Sequence, residues 1–174
     1  LKFQNMKTAY KKTYHISLKK AIIQCFGMFF ALILFIEIPV IFFWGGQDSY
    51  PINIWISTFL LLLGLGLHEM LHAVTAAYYS PNGFKDVRMG WHKRFFVAYC
   101  SCFADLKVKQ FHLVLLTPFI ILGIIPIVIG AVTGALSILH LGILLATLSA
   151  GDLAVCATSR KENGNYYVQG ELRE

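Results

Sequence analysis

The chain predicts an all-α membrane protein, four transmembrane helices with a short cytoplasmic strand-like hairpin segment between the second and third. Three observations predict it. Apolar residues fill 57% of the 174 positions, mean hydropathy is +0.64, and charged residues are held to 14%, well below a soluble domain's share. Four apolar runs are each long enough to cross about 30 Å of hydrocarbon at about 1.5 Å per residue. All 15 Lys and Arg residues stand in three places: before the first run, between the second and third, and after the fourth.

Residues 1–20 carry Lys2, Lys7, Lys11, Lys12, Lys19 and Lys20 and no acid, which suits a basic juxtamembrane segment on an anionic leaflet. A membrane domain over 21–160 and a polar cytoplasmic tail over 161–174 follow. Ala21–Trp44 is the first span, apolar apart from Gln24 and Glu37. It is longer than a signal-peptide core and lacks a small-residue cleavage site, so it reads as a retained anchor. Gly45–Pro51 is a turn flanked by Trp44, Tyr50 and Trp55 as an interfacial aromatic belt. Ile52–Tyr79 is the second span, ended by the turn residues Ser80-Pro81-Asn82-Gly83. Within it, Gly64 and Gly66 are small enough to let a neighbouring helix approach closely.

Phe84–His112 is the one long polar segment, and Val87–Trp91 and Phe95–Phe103 have the β-branched and aromatic content of short strands. A hairpin at the membrane surface is expected there. Leu113–Leu136 is the third span, with Pro118 and Pro126 inside it, which membrane helices tolerate. Ser137–Leu141 is read as a minimal turn, and Gly142–Ser159 as the fourth span, interrupted at Gly151-Asp152. With four spans the three basic places share one side, which the positive-inside rule makes cytoplasmic. The expected location is the inner membrane, multi-pass, with both termini cytoplasmic and the lipid bilayer as the first partner. The +6 charge resides in these flanks, so no nucleic-acid partner is expected. Cys25, Cys100, Cys102 and Cys156 follow no scaffold spacing and read as ordinary reduced thiols.

Inside the second span stands Leu65–His72, LGLHEMLH. His68 and His72, four residues apart, project from one helix face with Glu69 beside them. That is the HExxH arrangement, in which two imidazoles hold zinc and the glutamate is the base for a zinc-activated water. Polar groups of this kind are costly in an apolar span and mark function.

A catalytic zinc commonly has a third protein ligand at the depth of the other two. His68 and His72 precede the inner end of span two by roughly eight to twelve residues, and Asp152 precedes that of span four by about eight. Both spans run from outside to inside, so the depths differ by a few ångströms. An idle aspartate at a helix centre costs about 3 kcal/mol, which favours Asp152 as the ligand over a merely hydrogen-bonded interfacial residue. Glu37 lies nearer the outer face on an oppositely directed span, where snorkelling or local pairing suits it better. His140 falls in the outer turn. His92 and His112 are on the correct side as lesser candidates, more often surface histidines.

His68-Glu69-Met70-Leu71-His72, Thr117-Pro118 and Ser149-Ala150-Gly151-Asp152-Leu153 together resemble the "Putative zincin peptidase" family of small bacterial membrane proteins. More distantly the chain is similar to the site-2 protease class of intramembrane zinc metalloproteases, although Gly151-Asp152 reverses the Asp-Gly order common there. The resemblance implies His68, His72 and Asp152 as zinc ligands and Glu69 as the catalytic residue. The expected activity is hydrolysis of peptide bonds in a hydrophobic peptide or membrane-protein substrate, with Zn2+ as cofactor. A non-catalytic zinc-binding membrane regulator and a small ion transporter are the alternatives. The near absence of polar residues from Leu113–Leu136 argues against the transporter.

Overall fold

The computed structural model describes residues 18–45, 54–92, 97–159 and 167–168. The expectations for the basic segment before residue 18, for Tyr50 in the first turn and for most of the tail lie outside the described residues, as does the side chain of Trp55. Among those described, the protein is mostly helical. Three helices are long and apolar enough to cross a membrane, and a bent pair adds a fourth if it counts as one span.

Helix α1 (Leu18–Leu32) passes through a π-helical stretch, Ile33–Glu37, into α2 (Ile38–Trp44). Pro39 cannot donate to the carbonyl four residues back, and the wider π turns lie where that bond is missing. Gly45 ends α2 in the left-handed conformation, with φ of 68°. Phe26, Phe30, Leu34, Phe35, Phe42 and Phe43 are exposed along this element, an outward apolar surface compatible with a membrane.

Helix α3 (Ile54–Tyr79) carries the HExxH stretch and stops at Ser80. The turn behind it is tied by Asp86, whose carboxylate accepts bonds from the Ser80 hydroxyl and from the backbone and side-chain amides of Asn82. The Ser80 bond, and then the Asn82 bonds, hold this carboxyl below the usual carboxylate range. The expected hairpin follows. Strands β1 (Val87–His92) and β2 (Val97–Cys102) pair antiparallel, Val87 opposite Cys102 and His92 opposite Val97. Phe103 N–H donates to the Asp86 carbonyl at 2.8 Å, so alternation along the ladder turns the backbone groups of Ala98, Cys100 and Cys102 away from β1. Ala76, Cys102, Ala104, Leu106 and Val114 form the core that seats the hairpin against the helices.

Strand β3 (Leu106–Lys107) pairs with β4 (Tyr167–Val168), so the expected polar tail contributes a strand at that point. Helix α4 (Val108–Pro118) then runs through a second π stretch, Phe119–Ile124, into α5 (Ile125–Thr133). The next turn is Gly134-Ala135, not Ser137–Leu141. Gly134, with φ of 75°, is the helix-ending residue, and Ser137 and His140 lie inside α6 (Leu136–Leu148). Bare backbone brings α5 and α6 together: a Cβ on Gly130 would lie 2.5 Å from the Leu139 amide nitrogen, and one on Gly142 2.8 Å from that of Ile127.

Gly64 likewise meets Leu145 of α6, whereas Gly66 faces open space, so one of the two predicted contact glycines is used. Trp44 donates its indole N–H to the Ala131 carbonyl at 3.0 Å, tying the end of α2 to α5. Ile127, Leu139, Ile143 and Ala146 form the second core, packed by Met28, Phe29, Ile33 and Ile36 of the first helical element. The chain bends by 47° between α6 and α7 (Ala150–Ser159). The break falls at Ser149, just ahead of the expected Gly151-Asp152, and it sets Asp152 in the first turn of α7.

Candidate metal centre

His68 and His72 lie one turn apart on α3, 7% and 8% exposed, with their rings edge to face at a centroid distance of 4.7 Å. Asp152 reaches them from α7. Its Oδ2 is 3.1 Å from His68 Nε2 and 3.3 Å from His72 Nε2, and the two Nε2 atoms are 3.1 Å apart. This triangle is the one group of potential metal ligands found among the described residues.

The chemistry of the donors decides what the triangle can hold. His72 Nδ1 is 2.8 Å from the Val114 carbonyl oxygen, which only accepts, so Nδ1 carries the proton. A neutral His72 then presents the lone pair of Nε2 to the centre. The arrangement sets a nitrogen lone pair against a carboxylate oxygen and a second imidazole nitrogen, all largely out of water. Protons can bridge some of these contacts, but one cation satisfies all three. A tetrahedral ion about 2.05 Å from each donor would space the donors about 3.3 Å apart, close to what is observed. Asp152 and the neighbouring Glu69, both ionised, would also balance a divalent charge. The residues fit zinc.

Glu69 is half-buried beside the triangle, and the backbone N–H of Cys100 faces its carboxylate. This agrees with the outward turn of Cys100 on β2 and brings the hairpin edge directly against the motif glutamate. The neighbourhood also affects the Cys100 thiol. Burial first, then the Glu69 carboxylate and Cys102, push it up to about 12, so it is a poor nucleophile.

The other sequence candidates lie elsewhere. Glu37 Oε1 is 2.8 Å from His140 Nδ1, a pair separate from the triangle. His112 Nε2 is 2.6 Å from the Ser159 hydroxyl and links α4 to α7. The His92 side chain lies outside the described residues. Two neighbours in the site escaped the sequence reading: the Val114 carbonyl behind His72 and the Cys100 N–H facing Glu69. Both are backbone groups, and their own side chains do not advertise them.

The profile of a family described as "Putative zincin peptidase" matches residues 60–167, which takes in most of α3, the hairpin, α4 and α7. Zinc is the cofactor this family implies, and His68, His72 and Asp152 form a cluster able to bind it. No curated protein and no solved structure matches the chain.

Proposed function

The chain belongs to this zincin peptidase family, and on that premise we propose that it is a membrane-embedded zinc metallopeptidase of the HExxH type, acting on hydrophobic or membrane-associated peptides. The observation that carries the proposal is the convergence of His68 Nε2, His72 Nε2 and Asp152 Oδ2 with Glu69 alongside. His68, His72 and Asp152 would hold the ion. Zinc, when bound, supplies Lewis acidity that polarises a scissile carbonyl and acidifies water toward neutral pH. Glu69 takes the proton of the attacking water on its carboxylate and delivers it to the departing amine.

The outward edge of β2 supports an extended peptide as the substrate form. Backbone groups of Ala98, Cys100 and Cys102 turn away from β1 beside the motif helix, so a peptide can add as a strand without its sequence being read. In the membrane reading, α1 to α2, α3, α4 to α5, and the bent α6 and α7 pair form four spans. The Lys and Arg distribution sets both ends and the hairpin on the cytoplasmic side. The domain division into a basic segment, a 21–160 membrane domain and a tail is part of the same proposal.

Metal analysis of the purified full chain tests it, together with peptide-cleavage assays in detergent or vesicles. One zinc per chain is expected in the wild type and in Glu69→Gln, with cleavage lost in the second. Wild type without stoichiometric metal, or Glu69→Gln with full activity, sinks the proposal. Bound zinc with no Glu69-dependent cleavage of any peptide would mark a metal-binding regulator instead.

A further inference from the structure

The hydrogen bond from His72 to Val114 falls on a backbone carbonyl that its own helix has left vacant. Inside an α-helix, the carbonyl of residue 114 normally receives the N–H of residue 118. Residue 118 is proline and has no N–H to give. The next donor along, Phe119 N–H, turns to the Leu116 carbonyl instead. The Val114 oxygen is therefore released from α4 and receives His72 Nδ1 at 2.8 Å.

Neighbouring residues bring the two helices close enough for this bond. Ala73, Ala76 and Ala77 of α3 are buried and small, and Val114 packs in one core with Ala76, a turn beyond His72. Pro118 itself is fully buried, so it adopts one position. His68 has no such support: its Nδ1 is buried without a partner among the described residues.

We propose that Pro118 is a positioning residue for the metal centre, which frees the Val114 carbonyl to fix the ring orientation and tautomer of His72. The proposal rests on the metallopeptidase reading for its purpose but on α4 and α3 alone for its geometry. A hydrogen bond of this kind holds the ligand nitrogen on the metal and raises its basicity, and its loss commonly costs 10–100-fold in affinity.

The test compares the full-length wild type with Pro118→Ala and Pro126→Ala. Each variant restores one N–H in the same helical element, but Pro126 stands eight residues farther along, in α5. Zinc affinity by chelator competition should weaken about 10–100-fold in Pro118→Ala and stay at the wild-type value in Pro126→Ala. The visible spectrum of bound Co2+ should shift in Pro118→Ala alone. Pipecolic acid at position 118, which also lacks an N–H, should restore wild-type affinity and spectrum.

Nitrogen-15 NMR of the zinc-free wild type should find the His72 proton on Nδ1 and protected from exchange, and this measurement stands even if Pro118→Ala does not fold. A His72 proton on Nε2 overturns the proposal, as does a folded Pro118→Ala with wild-type affinity and spectrum. Failure of the wild type to bind zinc sinks the metallopeptidase reading instead. The His72 tautomer, compared in zinc-free wild type and Pro118→Ala, still decides the role of Pro118.

Discussion

Among the described residues, two clusters of histidine and carboxylate stand between apolar helices, and they are built differently. Glu37 and His140 meet in a single contact of 2.8 Å, and a proton between Oε1 and Nδ1 completes it. The pair is asymmetric, with the Glu37 side chain 14% exposed and that of His140 35%, and Glu37 Oε2 has no partner among the described residues. Asp152, His68 and His72 instead converge three donors on one point, with a carbonyl behind one of them. Two complementary groups make an interhelical tie, while three electron-pair donors facing each other call for a cation. Residue types are similar in both clusters, and the number and direction of lone pairs separates them.

Removing a ligand should break this distinction most severely. His68→Ala, His72→Ala and Asp152→Ala should each lose stoichiometric zinc, measured by elemental analysis, while Glu37→Gln and His140→Gln keep it. Zinc lost equally from either cluster would erase the difference.

Next in size is Gly130→Ala, whose Cβ must push against the backbone of Leu139, the neighbour of His140. Overpacking of this kind costs about 1–3 kcal/mol, read as a lowered unfolding midpoint in detergent, with zinc stoichiometry unchanged. Gly66→Ala, which meets open space, should leave the midpoint level or slightly raised.

Glu37→Gln should cost about 1–2 kcal/mol, less than the rupture of a fully buried pair because the His140 side chain is partly exposed. A double-mutant cycle with His140→Gln should recover most of that loss as coupling between the two residues.

The smallest effect separates the centre from the surface by pH. Because the folded-state pKa of Asp86 is depressed, its contribution is present above the unfolded value of about 3.9 and fades as pH falls through the lower folded value. Zinc binding competes with protons at the histidines and weakens on acidification. Between pH 7 and pH 5, zinc should therefore leave while amide exchange in the Ser80–Asp86 turn stays slow. In Asp86→Asn that exchange should be faster across the whole range.

Much of the centre was legible in the chain. The spacing of His68, Glu69 and His72 sets them on adjoining positions of one helix, because helical periodicity is local. Asp152 was matched to them through an expected depth in the membrane, and the structure does bring it to His68 and His72. The turn before α6 was misread because Ser137 and His140 look polar, when Gly134 carried the stop and His140 had a carboxylate waiting on another helix. The Val114 carbonyl does leave a trace, a proline four positions ahead, but that trace marks only an available acceptor.

Residue order alone therefore determined the mostly helical, apolar character, the hairpin and the motif, all of which follow from local geometry and composition. Tertiary packing decided which vacant carbonyl met which imidazole, that the edge of β2 came against Glu69, and that Glu37 joined His140. Those choices depend on the rotation and separation of helices, set by contacts such as Gly130 on Leu139 and Gly64 on Leu145. A hydrogen bond tolerates only a few tenths of an ångström, which no count along the chain can specify.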